Sequence, residues 1–483
     1  MTRVKPGQRQ RARAPKVRSG CITCKDPVPL ATEPQAPPAT LTPCRDPRES
    51  RALQFYFEQT LPQISTFFPD ELWSVWVPQL AQSEPSIRHA LVTLASYHEL
   101  FTRHEDESTT YLALQYYNKA IKDILYTAKS PRGLFVHFLS SALFICIEIL
   151  RGRVAHGIVL LKRAIGLLRG IQKRRCGGPT SNSREDSSDL DAVIGLVEAF
   201  LFRLSLQAFL LVGDLDDEIS SIALSTIKSS KSTLSSHTIF HSPTDARNSL
   251  LEIVILCMKR GQEGVLAFSH WRNAFDRFCF TRRYRMTSPA DRRTKALLQL
   301  YREYLEVEIS VAGFQSRDDP SVWDRYYDLF RRMVYCAEQV RDVNNGSVNT
   351  QPHFHLDIGT VPILYSIVLK CRDHQVRERA LMTLQSQTLL EGLWNSNQLL
   401  PVAQRVVVLE GGTSASSPQD ISNMIRVRKV LTKFEFHEKL ILYYHLSSGW
   451  VKESVDIKED SRYQRSRSSQ SMLVGSAAEE QTR

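Results

Sequence analysis

The chain has 483 residues and a net charge of +11, with 42% hydrophobic and 9% aromatic residues. That is ample for a sizeable core, and the length sets a prior of about three domains, fewer if one large helical domain is present. Nine cysteines are scattered without a paired framework, which excludes a disulfide-stapled scaffold and makes most of them reduced core thiols. Cys146, inside Leu143 to Ile147, reads as a small core hydrophobe.

At the N-terminus, residues 1–25 hold eight basic side chains and no Asp or Glu, so most of the net +11 sits at one end. The arm runs into Cys21-Ile22-Thr23-Cys24-Lys25. Cations beside a Cys-x-x-Cys pair read as the opening of a zinc-dependent DNA-binding module. Cys21 and Cys24 are the candidate zinc ligands, and Arg11, Arg13, Lys16, Arg18 and Lys25 the candidate DNA contacts. The ligand set is incomplete. Only Cys44 follows before the large domain, and three thiols cannot supply the four ligands of a closed structural zinc site. Zinc is therefore an open expectation, against two free thiols in a disordered arm. DNA binding through this arm is expected to be weak, salt-sensitive and tolerant of sequence. The N-terminus carries no secretory pattern, since polar residues and proline stand where an apolar stretch would be, and the arm can double as a nuclear import signal.

Residues 26–49 contain seven prolines and read as a stiff linker without heptads. From residue 50 to 450 the periodicity is helical, and the fold class expected is all-α. Ile87, Ala90, Leu91, Leu94, Ala95, His98 and Phe101 recur at helical spacing after Ser83-Glu84-Pro85, a cap and a first-turn proline. Leu114, Tyr117, Ile121, Ile124 and Leu125 repeat the pattern. The most apolar stretch, Leu134 to Leu150, includes His137, Ser140, Ser141 and Glu148; it falls short of a membrane span and reads as a buried helix, so no membrane partner is expected. Leu399 to Glu410 should form a helix ending at Gly411-Gly412. Breaks at 176–189, 344–352 and 411–420 read as loops between helices. Residues 451–483 are expected to be a disordered tail.

Two resemblances add to this reading. The arm and its cysteines resemble the start of the fungal zinc binuclear-cluster (six-cysteine) transcription factors, whose third cysteine would fall at Ala31; Asp26-Pro27-Val28-Pro29-Leu30 replaces the basic run expected there. The agreement fails abruptly after Lys25, which points to an alternative or faulty splice. Residues 50–450 resemble the fungal-specific transcription factor domain. The match is carried by Arg51 to Phe57, Glu84 to Leu91, Phe144 to Gly152 and Phe202 to Gln207 (with Ser205 where the family usually has Asp), then Leu369 to Asp373 and Glu391 to Trp394. The resemblance implies a nuclear regulator of RNA polymerase II transcription, possible as a homodimer, that works with DNA, the transcription machinery or another regulator. A regulator that has lost DNA binding and acts through protein partners is the alternative.

No enzyme motif competes. Gly-x-Ser-x-Gly, the P-loop and Gly-x-Gly-x-x-Gly are all missing, and His98-Glu99 and His437-Glu438 each lack the second histidine of a zinc protease. His353 and His355 read as a loop pair, and Asp373 as a helix cap. An apolar pocket is expected within the helical domain, with Phe67, Phe68, Trp73, Trp76, Tyr116 and Tyr117 as candidate lining, although core filling is the favoured account of these side chains.

Overall fold

The structure is a computed structural model. It describes residues 46–456 apart from 104–106, 128–130, 177–183, 213–215, 220, 222–234, 236, 282–287, 313–318, 342–350, 412–420 and 435–438. The basic arm, its cysteines and residues 457–483 lie outside the described residues.

Helices carry the fold, as expected for an all-α class. The first stretch comprises α1 (Pro47–Phe55), a π-helical turn (Tyr56–Thr60), α2 (Leu61–Ile64), a second π turn (Leu72–Trp76) and α3 (Val77–Ser83). Four long helices follow: α4 (Pro85–Thr102), α5 (Glu107–Thr127), α6 (Pro131–Leu150) and α7 (Val154–Cys176). Next are α8 (Arg184–Val212), α9 (Pro243–Arg260), α10 (Gln262–Phe280) and α11 (Pro289–Ala312). A 3-10 turn (Pro320–Tyr326) leads to α12 (Tyr327–Arg341); α13 (Val361–Lys370), α14 (His374–Gln385) and α15 (Ser396–Leu409) follow among the described residues.

The centre is α4 with α6, packed on each other and on α5 and α7. Every residue from Leu91 to Leu100, and from Ala142 to Leu150, is buried, so these helices are covered on all sides, as only interior helices are. Cys146 is fully buried among them. The segment Asp191–Val212 is apolar and long enough to cross a membrane, and 61% of its most apolar 18-residue window is buried inside the fold. Two further helix hairpins, α9–α10 and α11–α12, pack on each other through α9 and α11.

Several local expectations need correction. The cap of α4 is Glu84, before the first-turn Pro85, but its side chain makes no capping bond. Asp373 does cap α14, accepting from the Val376 amide at 3.0 Å. Gly411, with φ of +99°, follows α15 as expected, but strands come next rather than another helix. Strands β4 (Lys429–Phe434), β5 (Lys439–Leu446) and β6 (Gly449–Asp456) form an antiparallel sheet in the order β4-β5-β6. The domain boundary expected at 450 therefore falls inside β6. Likewise α1 begins at Pro47, within the expected linker, with Asp46 as its N-cap. The His353-Phe354-His355 segment is not a loop but strand β1, parallel to β2 (Leu389–Glu391), which pairs with β3 (Trp394–Asn395).

Buried ion pairs tie distant segments together. Arg203 reaches Asp70 at 2.5 Å and Asp357 at 3.5 Å, and Arg247 reaches Asp357 at 2.7 Å while its guanidinium lies over the Phe68 ring. Glu410 accepts from Arg372 at 2.8 Å, Arg377 at 2.5 Å and the Val427 amide at 2.7 Å, joining α14, α15 and the approach to β4. Burial opposes the Glu410 charge, but the two guanidiniums outweigh it and hold the carboxyl below its usual range.

Candidate functional site: an apolar cavity with a polar end

A cavity of about 930 Å³ lies between the second half of α8, the α9–α10 hairpin, α11 and α13. Its size is at the upper end of the roughly 300–1,000 Å³ typical of small-molecule sites. Leu206, Phe209, Leu250, Leu251, Val254 and Leu305 supply much of the apolar wall. Part of that wall is a packed cluster of Leu206, Leu251 and Ile255 with Phe202, Val254 and Ile358 against it. Leu210, Met258 and Val265 line the same cavity and are also exposed, so its mouth is apolar. Val430 and Thr432 of β4 close another side.

The hairpin is shaped by two glycines. Gly261 joins α9 to α10 at a positive φ of 31°. At Gly264, a Cβ would stand 2.5 Å from the Cys257 Cα and amide nitrogen, so only glycine lets α10 approach α9 this closely. Cys257, Gly261 and Val265 all face the cavity, and the close approach therefore sets its shape. Burial pushes the Cys257 thiol up to about 11, which makes it an inert wall residue at neutral pH.

The polar end is built from α11, α13 and the 3-10 turn. Lys370 forms an ion pair with Glu308, and its ammonium sits 4.3 Å from the centre of the Trp323 ring and 5.7 Å from that of Tyr304. All four residues line the cavity. Burial opposes the Lys370 charge, but the Glu308 carboxylate outweighs it and raises the amine above its ordinary value, so the ammonium stays charged. Burial, then Glu308, pushes the Tyr304 phenol up to about 12, and Ser366 is its other hydrogen-bond neighbour. Lys370 keeps 24% of its side chain accessible and Glu308 33%, so both retain a face for another group.

None of the six aromatics expected to line a pocket is here. Trp73, Phe68 and Tyr116 are core residues, almost fully buried, with Trp73 edge-on to Phe200 at 5.3 Å. Tyr116 donates to Glu49 at 3.1 Å and Asp46 at 3.3 Å, which fixes α1 on α5. Sequence reasoning missed Lys370 and Glu308. The readable signal is a charge inside an apolar stripe: Tyr301, Tyr304, Leu305, Glu308 and Ala312 share one helical face, and Lys370 ends the apolar run of α13.

The histidines flagged earlier are structural. His98 is buried between Thr60 at 2.9 Å and Gln63 at 3.1 Å; His353 meets Thr66 at 3.2 Å. His437 lies outside the described residues. Among the described residues, no group of three or more His, Cys, Asp or Glu is placed to hold a metal ion. Cys21, Cys24, Arg11, Arg13, Lys16, Arg18 and Lys25 all lie outside the described residues.

A family model described as the fungal specific transcription factor domain matches residues 51–259. No zinc-cluster domain is detected. No curated protein and no solved structure matches the chain.

Proposed function

We propose that this chain is a nuclear regulator of fungal RNA polymerase II transcription, specific to one metabolic or secondary-metabolite gene set. The observation that carries this reading is the family match over residues 51–259, whose described residues are mostly helical. The basic arm with Cys21 and Cys24 supports it from the other end. On this reading the described domain is a regulatory module and does no chemistry. The residues present do not fit a six-thiolate cluster, because Ala31 stands where the third cysteine is required. That favours a second form of the same role: a regulator that binds DNA only through the phosphate contacts of its arm and selects genes through another protein.

Pairing with a second copy has support on α5. Tyr111, Leu114, Asn118, Ile121 and Leu125 follow heptad spacing, and all but the half-buried Leu114 are exposed, with an Asn at an a-type position. Sedimentation of the purified chain checks this, and Ile121→Glu should shift any dimer to monomer.

Deleting the gene and profiling transcripts tests the main reading; unchanged expression across all gene sets would end it. Sequencing the transcript across codons 20 to 50 separates the two forms. Four or more added cysteines with intervening Lys and Arg restore specific DNA reading, and a transcript matching the present sequence supports action through partners.

A further inference from the structure

We propose that the cavity between α8, α9, α11 and α13 is a binding site for a neutral, ring-bearing lipophile carrying a carbonyl or hydroxyl oxygen at one end. Three observations carry the assignment. The first is size: protein interiors close up to near-crystalline density, and this cavity, open at its mouth, holds about 930 Å³, far more than the small voids that imperfect packing leaves. The second is the mouth. Leu210, Met258 and Val265 are 38%, 42% and 47% exposed and stand at the same cavity, so an apolar molecule meets an apolar entrance.

The third is the polar end, which sets the ligand's chemistry. Lys370 and Glu308 are the charged side chains on an otherwise uncharged lining. The pair is partly withdrawn from water against an apolar wall, where part of its hydration is lost and apolar packing does not require it. The pair sums to no net charge, so a free carboxylate reaching Lys370 would also meet Glu308, and an amine reaching Glu308 would meet Lys370. A neutral oxygen suits both. A carbonyl accepts from the ammonium, which has three N–H donors, while a hydroxyl can in addition donate to the carboxylate. Trp323 and Tyr304 beside the pair offer flat faces on which a ring can stack.

The proposal goes beyond the transcriptional reading, and its test reads binding alone, so it can fail while that reading stands. The full chain is titrated with Nile red, a neutral fused-ring dye bearing a carbonyl, following dye emission and the quenching of tryptophan fluorescence from Trp323 and Trp394. The expected result is saturable binding at one dye per chain. Val265→Trp, at the exposed mouth, should abolish it without affecting the fold. The double variant Lys370→Met/Glu308→Leu replaces both charges together, so it leaves no unpaired buried ion. It should weaken Nile red at least about tenfold, the usual loss for a hydrogen bond to a charged group. It should leave diphenylhexatriene, a hydrocarbon of similar length, unchanged. The anionic dye anilinonaphthalene sulfonate should fail to displace Nile red. Non-saturable binding, undiminished binding in Val265→Trp, equal weakening of both dyes in the double variant, or displacement by the sulfonate would each overturn the assignment.

Discussion

Acid should unfold this domain through its buried histidines before its carboxylates are fully protonated. Burial lowers His98 from 6.5 to about 3, and burial with the nearby charges of His355, His98 and Arg293 lowers His353 to about 3 as well. Both rings are neutral in the fold and bind a proton in the unfolded chain first. Their contribution is therefore complete above pH 6.5 and is lost as the pH falls from 6.5 toward 3. At pH 5 each has cost about 1.5 units times 1.36 kcal/mol, or about 2 kcal/mol, and the pair about 4 kcal/mol. That figure holds as long as the folded values lie well below 5. The assay is urea unfolding at pH 7.5 and pH 5 for the parent, His98→Gln and His353→Gln. Each variant will start less stable, since His98 holds Thr60 and Gln63. Each should nevertheless lose about 2 kcal/mol less than the parent between the two pH values, because its titrating group is gone. Carboxylate effects cancel in that difference. Variants that lose as much as the parent, or an NMR titration of either ring centred near 6.5, would refute the reasoning.

Glu410→Ala should cost about 3–5 kcal/mol in a denaturation midpoint, since it strands Arg372 and Arg377, whose side chains are 1% and 6% accessible; a loss below about 1 kcal/mol would mean that water reaches the site. Gly264→Ala should destabilise by about 1–3 kcal/mol, because its Cβ meets the Cys257 backbone, and should weaken Nile red in parallel. A fragment beginning at Cys44 should keep its circular dichroism and melting temperature in excess chelator, as its described core holds no metal-ligand cluster; melting by chelator would reveal a metal in it.

The central helices were legible because burial there follows a single helical face or covers whole runs, and apolar spacing records both. What was not legible divides by cause. The sheet at β4–β6 had a readable signal that helical periodicity masked. Leu440 to Tyr444 is rich in strand formers, and Ser447-Ser448 is a two-residue loop before Gly449 at φ +116°. The short strands β1 to β3 had no such signal, as three residues cannot establish an alternation. The polar end of the cavity lay further out of reach. Glu308 and Lys370 are 62 positions apart, and only packing of α11 on α13 brings them together. The aromatic segments misled because side-chain type cannot distinguish a core wall from a cavity wall. Trp73 and Tyr116 fill space between helices, whereas Trp323 borders it.

The family match ends at residue 259, but the fold does not break there. Arg247 lies within the matched span and finds its carboxylate at Asp357, beyond it, and Arg203, paired with Asp70 inside the span, also reaches Asp357 at 3.5 Å. Gln207, also within it and fully buried, donates to the Leu356 carbonyl at 2.8 Å and accepts from the Leu393 amide at 3.0 Å. At Gly392, with φ of +55°, a Cβ would fall 2.0 Å from that same Gln207 carboxamide oxygen, so the turn is built to receive it. Residues 51–259 alone would leave the buried Arg247 guanidinium without its carboxylate, Arg203 with Asp70 only, and a buried carboxamide without either bond, which argues against an independently folding unit. The cavity repeats the same division. Its α8 and α9 wall falls inside the match, while its charged end on α11 and α13 falls outside. A ligand there would touch both parts at once. Its binding energy would therefore add to the ties between the matched segment and the segment beyond it, which supplies the charged end.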